Sequence, residues 1–174
     1  AASMTMDISN QNKLSEFYEE LKRLNIKVTR PDINECYADF KTTDNNFYYA
    51  LGGIKAVGYE AISNVIEERL NNGKFSSIND FLKRINPKDM NKLQLEGLVK
   101  AGAFDNLNSN RQSLFDSIPN FILKTKNIFD NKSANQIDLF SEDETLENEI
   151  VNDIEDWNFE ERLSKEFEAV GFFI

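Results

Sequence analysis

Histidine is absent from this chain, and cysteine occurs once, at position 36. The first absence excludes a histidine-based catalytic triad and a histidine-ligated metal. The second excludes a disulfide within the chain and a structural zinc cluster, and leaves Cys36 as a free, buried thiol of a reducing compartment. No apolar run approaches the ~20 residues of a membrane span, so no membrane contact is expected. The first seven residues have neither the basic region nor the apolar core of a signal peptide. A cytoplasmic location is the expectation, and a first residue other than Met points to a segment cut from a longer protein. An excess of positive charge is missing too, since the net charge is -10.

That acidity is local. Residues 1–130 hold 17 basic and 17 acidic side chains, whereas 131–156 hold one basic and nine acidic. The N-terminal three-quarters is therefore neutral and need not repel a polyanion. Apolar residues make up 40% of the chain, and Phe supplies 14 of its 20 aromatics, enough for a core in the part that carries them.

Hydrophobic periodicity predicts a mainly α fold. Ser9 or Asn10 caps a first helix with Leu14, Phe17, Tyr18, Leu21 and Leu24 on one face; Asn25 ends it, and residues 26–28 read as a short extended piece. Aromatic runs at 37–41 and 47–51 around a polar turn at 43–46 read as a β-hairpin. Ser77 caps a helix with Ile78, Phe81, Leu82 and Ile85 inward, stopped by Pro87. A further helix spans about 91–101. Ser109 or Asn110 caps the next, with Leu114, Phe115 and Ile118 inward and a break at Pro119 before 121–129. Residues 131–156 read as a flexible acidic linker, and a last amphipathic helix starts near Trp157.

Residues 53–66 carry the most informative pattern. A short apolar helix end leads into a turn closed by Gly58, then into a helix with Ala61, Ile62, Val65 and Ile66 on one face. This is the pattern of a helix-hairpin-helix, in which glycine permits close approach and the free N–H groups of the new helix suit a phosphate. The helix from about 91 to 101, the break at Gly102 and the helix that follows, with Leu114, Phe115 and Ile118 inward, form a second helix–turn–helix arrangement, less typical than the first. Inside the acidic stretch, Gln136, Ile137, Asp138, Leu139 and Phe140 form an apolar island with no core to join, a pattern that fits a peptide docking in a partner's groove.

Together these features resemble bacterial replicative DNA polymerases, the DNA polymerase III alpha-subunit family. The likeness rests on residues 1–7, on 31–34 with 50–58, on 95–105, on 136–140 and on 166–172, in the family's order. It implies four divisions: the end of a fingers-like region at 1–50, a tandem helix-hairpin-helix DNA-binding domain at 51–130, an acidic linker with a clamp-binding peptide at 131–156, and the start of a following region at 157–174. The fold implied is a helix-hairpin-helix bundle with a small β-hairpin and a flexible acidic segment. The double-stranded DNA contacts implied are Gly53, Lys55, Ala56, Val57, Gly58 and Tyr59 at the first turn, and Lys100, Gly102, Ala103, Asn110 and Arg111 at the second. Gln136, Ile137, Asp138, Leu139 and Phe140 would dock the sliding clamp, the beta subunit. Other holoenzyme subunits would be met through the whole protein. Ala56 stands where such hairpins often carry glycine, Leu93 and Gln94 stand where the family tends to be basic, and Ile137 replaces the usual leucine or alanine.

Phosphoryl transfer by two metals needs clustered carboxylates. Asp39 and Asp44 lie near the hairpin without a third. The family's catalytic aspartates belong to a palm that precedes this region. No catalytic residue, metal ligand or cofactor is therefore expected here, and Mg2+ is implied only for the whole polymerase. Two other readings stay open: a non-catalytic interaction scaffold, and the DNA-binding module of a repair enzyme.

Overall fold

The computed structural model describes residues 1–43, 46–133, 151 and 153–174. Its helices are α1 (Ala2–Met6), α2 (Gln11–Arg23), α3 (Tyr59–Asn72), α4 (Ile78–Arg84), α5 (Lys92–Lys100), α6 (Arg111–Ser133) and α7 (Phe159–Val170), with a 3-10 turn at Leu51–Gly53. Three short strands, β1 (Lys27–Thr29), β2 (Lys41–Thr42) and β3 (Asn46–Tyr48), form one sheet in the order β1-β3-β2.

Caps set most helix starts. Asn10 accepts the Lys13 N–H before α2, Ser77 accepts that of Asp80 before α4, and Asn91 and Gln94 close a reciprocal capping box on α5. The stripe of α4 is buried as its spacing predicts, and Gly73 (φ 86°) ends α3. Leu24, by contrast, is mostly exposed. It follows the last turn of α2 and belongs to no packed face.

Two elements differ from their sequence reading. The hairpin is shorter: only Lys41 and Thr42 pair antiparallel with β3, while Tyr37 bridges Ala50 in parallel. The other edge of β3 is taken by β1, parallel, with Val28 opposite Phe47, so the short extended piece expected at 26–28 is a strand of the sheet, set one residue later. Pro119 does not break its helix; α6 runs through it to Ser133, past the expected boundary at 130. Pro119 and Asn120 are exposed while Ser117, Ile118 and Phe121 are buried. The lost N–H therefore faces water, and packing on both sides of it holds the helix together.

The described residues of 1–50, 51–130 and 157–174 share one hydrophobic core. It runs from Met4 and Leu14 through Phe47, Ile62 and Leu98 to Val170 and Phe172. The Phe172 ring lies 5.4 Å from Tyr18 and 6.3 Å from Tyr49. Helix α7 thus packs back on α5 and on the N-terminal half. Arg69, buried on α3, donates at 2.7 Å to the carbonyls of Ile33 and Cys36 and fastens that helix to the loop between β1 and β2.

Candidate nucleic-acid interface

The first corner lies between the 3-10 turn and α3. Ile54 and Val57 are buried and root it, whereas Lys55, Ala56, Gly58, Tyr59 and Glu60 are exposed; Gly53, half-buried, closes the 3-10 turn. The left-handed residue is Ala56, φ 66°. Gly58 has an ordinary φ of -72° and serves as the N-cap of α3, with no side-chain cap. The strained torsion expected of the glycine thus belongs to its neighbour two positions earlier. The amides of Tyr59, Glu60 and Ala61 hold no hydrogen bond among the described residues; the first intrahelical bond is Ile62 N–H to the Gly58 carbonyl, 3.0 Å. Three donors at the positive end of a 14-residue helix are therefore left free, shortly after exposed Lys55 in the same turn. The Tyr59 hydroxyl donates to Asp39 at 2.7 Å, and that hydrogen bond to a carboxylate raises its pKa.

The corner is held from both sides. The Lys55 N–H donates to the Ala169 carbonyl at the end of α7, 2.8 Å. Its carbonyl lies against Gly97 of α5, where a Cβ would stand only 2.7 Å away. Sequence reasoning passed over Gly97 as a seat, although a lone glycine inside a helical pattern is a signal for such close approach.

The second corner is built differently. Gly102 (φ 78°) ends α5 with the Ala103 N–H bonded to Leu98 O and its own N–H to Val99 O. That pairing is a Schellman cap, and it uses up the amides expected to meet DNA. Gly102 and Ala103 are buried. Arg111 is 5% exposed. Its guanidinium grips Asp105 at 2.9 and 2.7 Å and reaches the Lys100 carbonyl and the Glu166 carboxylate. Burial works against that charge, but the bond to Asp105 and the two carboxylates outweigh it and raise the pKa. Arg111 is thus an internal cation, and the reason is partners up to 55 residues away.

The N-terminus of α6 is closed as well. Asn110 accepts the Ser113 N–H at 2.9 Å and donates to the Ile154 carbonyl, while Asp156 accepts the Gln112 N–H at 3.0 Å. Lys100, half-buried, pairs with Glu168 of α7 at 2.9 Å. Of the residues expected at the two turns, Lys55, Ala56, Gly58 and Tyr59 share one open surface rooted by buried Val57; Gly102, Ala103, Asn110 and Arg111 belong to the packing between α5, α6 and α7.

Residues 136–140 lie outside the described residues, as does Asp44. Among the described residues no three acidic, histidine or cysteine side chains converge as a metal site. Among the same residues no helix is long and apolar enough to cross a membrane.

The family described as helix-hairpin-helix motif matches residues 25–114, about half of the chain. The whole chain is 36% identical to part of the DNA polymerase III subunit alpha of Borreliella burgdorferi, covering 16% of that protein. It is 36% identical to the subunit of the same name from Caulobacter vibrioides, covering 15%, and 34% identical to that of Campylobacter jejuni, covering 15%. The chain thus spans about a sixth of the length of the curated relatives it matches.

Proposed function

The chain belongs to the helix-hairpin-helix family, and on that premise we propose that it is a duplex-holding region of a DNA polymerase III alpha subunit. The observation that carries this reading is the open N-terminus of α3: three unpartnered amides beside an exposed lysine, fixed by α5 and α7. Such a corner suits a backbone phosphate and reads no base, so binding is independent of sequence. The chemistry of nucleotide addition, with its Mg2+, belongs to other parts of the whole polymerase; this chain alone incorporates no nucleotide. In the whole protein the region supports processive, template-directed synthesis in the cytoplasm, alongside the other holoenzyme subunits. Docking of the sliding clamp through Gln136, Ile137, Asp138, Leu139 and Phe140 rests on the sequence pattern.

Anisotropy of a labelled duplex titrated with the 174-residue chain at low and rising salt tests the DNA reading. Binding that weakens with salt is expected, and no binding at low salt rejects it. Replacing Leu139 and Phe140 by Ala is expected to abolish capture by a bacterial sliding clamp and leave duplex binding intact. The closed second corner and the neutral charge of residues 1–130 favour a second reading, an interaction scaffold. Clamp capture without any duplex binding would support it.

A further inference from the structure

Gln94 of α5 faces the first corner from the neighbouring element. The residue is only 7% exposed. Its Oε1 accepts the Asn91 N–H at 2.8 Å, and its own backbone N–H donates to Asn91 Oδ1 at 3.0 Å. The capping box fixes which end of the amide is which, because only the oxygen can accept that bond. The amino end must then point away from Asn91, and it does so toward Gly58: Nε2 lies 3.0 Å from where a Cβ on Gly58 would stand. Nε2 has no hydrogen-bond partner among the described residues. Although the side chain as a whole is almost buried, Nε2 is not a buried atom left without a partner; it keeps contact with solvent, and a ligand oxygen can reach it there.

We propose that the Gln94 side-chain amide is a phosphate-binding group of the first corner, donating to the same backbone phosphate as the amides of Tyr59, Glu60 and Ala61. This rests on the duplex-binding reading above and adds a neutral donor brought by the second helical unit to the first. Two elements then converge on one anion: the positive end of α3, and an amide locked by its own cap. It also assigns a role to Gly58. With φ at -72° its torsion admits any residue, so glycine is needed there for space, leaving room for Nε2 and for an oxygen between it and the α3 amides.

The test uses the 174-residue chain, a labelled duplex and, separately, inorganic phosphate. Gln94→Glu keeps the acceptor oxygen of the capping box and replaces the donor by an anion. It is expected to melt no lower than the parent, because a carboxylate suits the start of α3, yet to bind duplex about tenfold more weakly. Gln94→Met removes the donor without adding charge. A loss of similar size is expected, with the salt slope unchanged because no cation is lost. In the parent chain the Gln94 side-chain amide resonances are expected to shift on adding duplex, a readout that needs no variant to fold. If inorganic phosphate shifts them and duplex does not, the DNA assignment is overturned in favour of a free anion. If Lys55→Glu weakens duplex binding while both Gln94 variants bind like the parent, the Gln94 proposal fails and the duplex reading stands. If Lys55→Glu is also without effect, the duplex reading itself fails.

Discussion

The Tyr49 hydroxyl is the one buried side-chain polar atom without a hydrogen-bond partner among the described residues, and its ring is almost fully enclosed. An unpaired buried hydroxyl costs free energy that a hydrogen in its place does not. Tyr49→Phe is therefore expected to raise stability by about 1 kcal/mol, read as a higher urea midpoint with unchanged m. Cys36 is buried beside it in the same core, and burial pushes its thiol up to about 12 from an ordinary value near 9. The folded state holds that proton more tightly than the unfolded chain does. Its contribution is thus complete below pH 9 and is lost as pH rises through 9 toward 12. Burial raises the Tyr49 phenol also. Urea midpoints at pH 8, 9.5 and 10.5 are expected to fall in that order, and Cys36→Ala to flatten the first part of the decline. A midpoint independent of pH across this window would contradict the burial of the thiol.

Two positions carry backbone penalties at the scale of elements. Ala56 holds a left-handed conformation, φ 66°, that an L-residue with a Cβ adopts at a cost of about 1 kcal/mol or more. Glycine there relieves the strain and loosens the unfolded chain, so Ala56→Gly is expected to gain no more than about 1 kcal/mol. Pro119 leaves the Phe115 carbonyl without its helical donor. The ring is exposed, so Pro119→Ala removes no packing and is expected to stabilise by about 1–3 kcal/mol in thermal unfolding. These positions also show what the sequence makes legible. The stripe of α4, the caps at Asn10 and Ser77, and the missing glycine at 56 are local signals, and the structure carries each of them. Pro119 misled because a breaker is read without knowing which side of the helix faces water. The hairpin was overlong because strand limits depend on β1, a partner about twenty residues earlier. The fate of Arg111 was hidden altogether: the carboxylate of Glu166 and the cap from Asp156 lie 55 and 45 positions beyond it.

For the whole molecule, that burial makes the two corners unequal. Helix α7 touches both, through the Ala169 carbonyl at Lys55 and through Glu168 and Glu166 at Lys100 and Arg111. At the first it holds a backbone amide and leaves the lysine side chain in solvent; at the second it supplies the carboxylates that neutralise the cations. On the proposed reading, a bound duplex would draw on the charge of Lys55 and not on that of Arg111. Lys55→Ala is expected to lower duplex affinity and to flatten the dependence of log K on log salt by about 0.9, one phosphate's worth of released counterion, with the melting temperature unchanged. Arg111→Ala is expected to do the reverse. It strands the Glu166 carboxylate in the core and costs about 3–5 kcal/mol of stability, while the salt slope of the remaining folded protein stays as it was. Measured together by calorimetry and by anisotropy over a salt series, the pair separates the corner that meets DNA from the corner that holds the molecule together. A salt slope that flattened with Arg111→Ala at full stability would assign the second corner to the duplex, and would require Glu166 and Asp105 to release their cation when DNA binds.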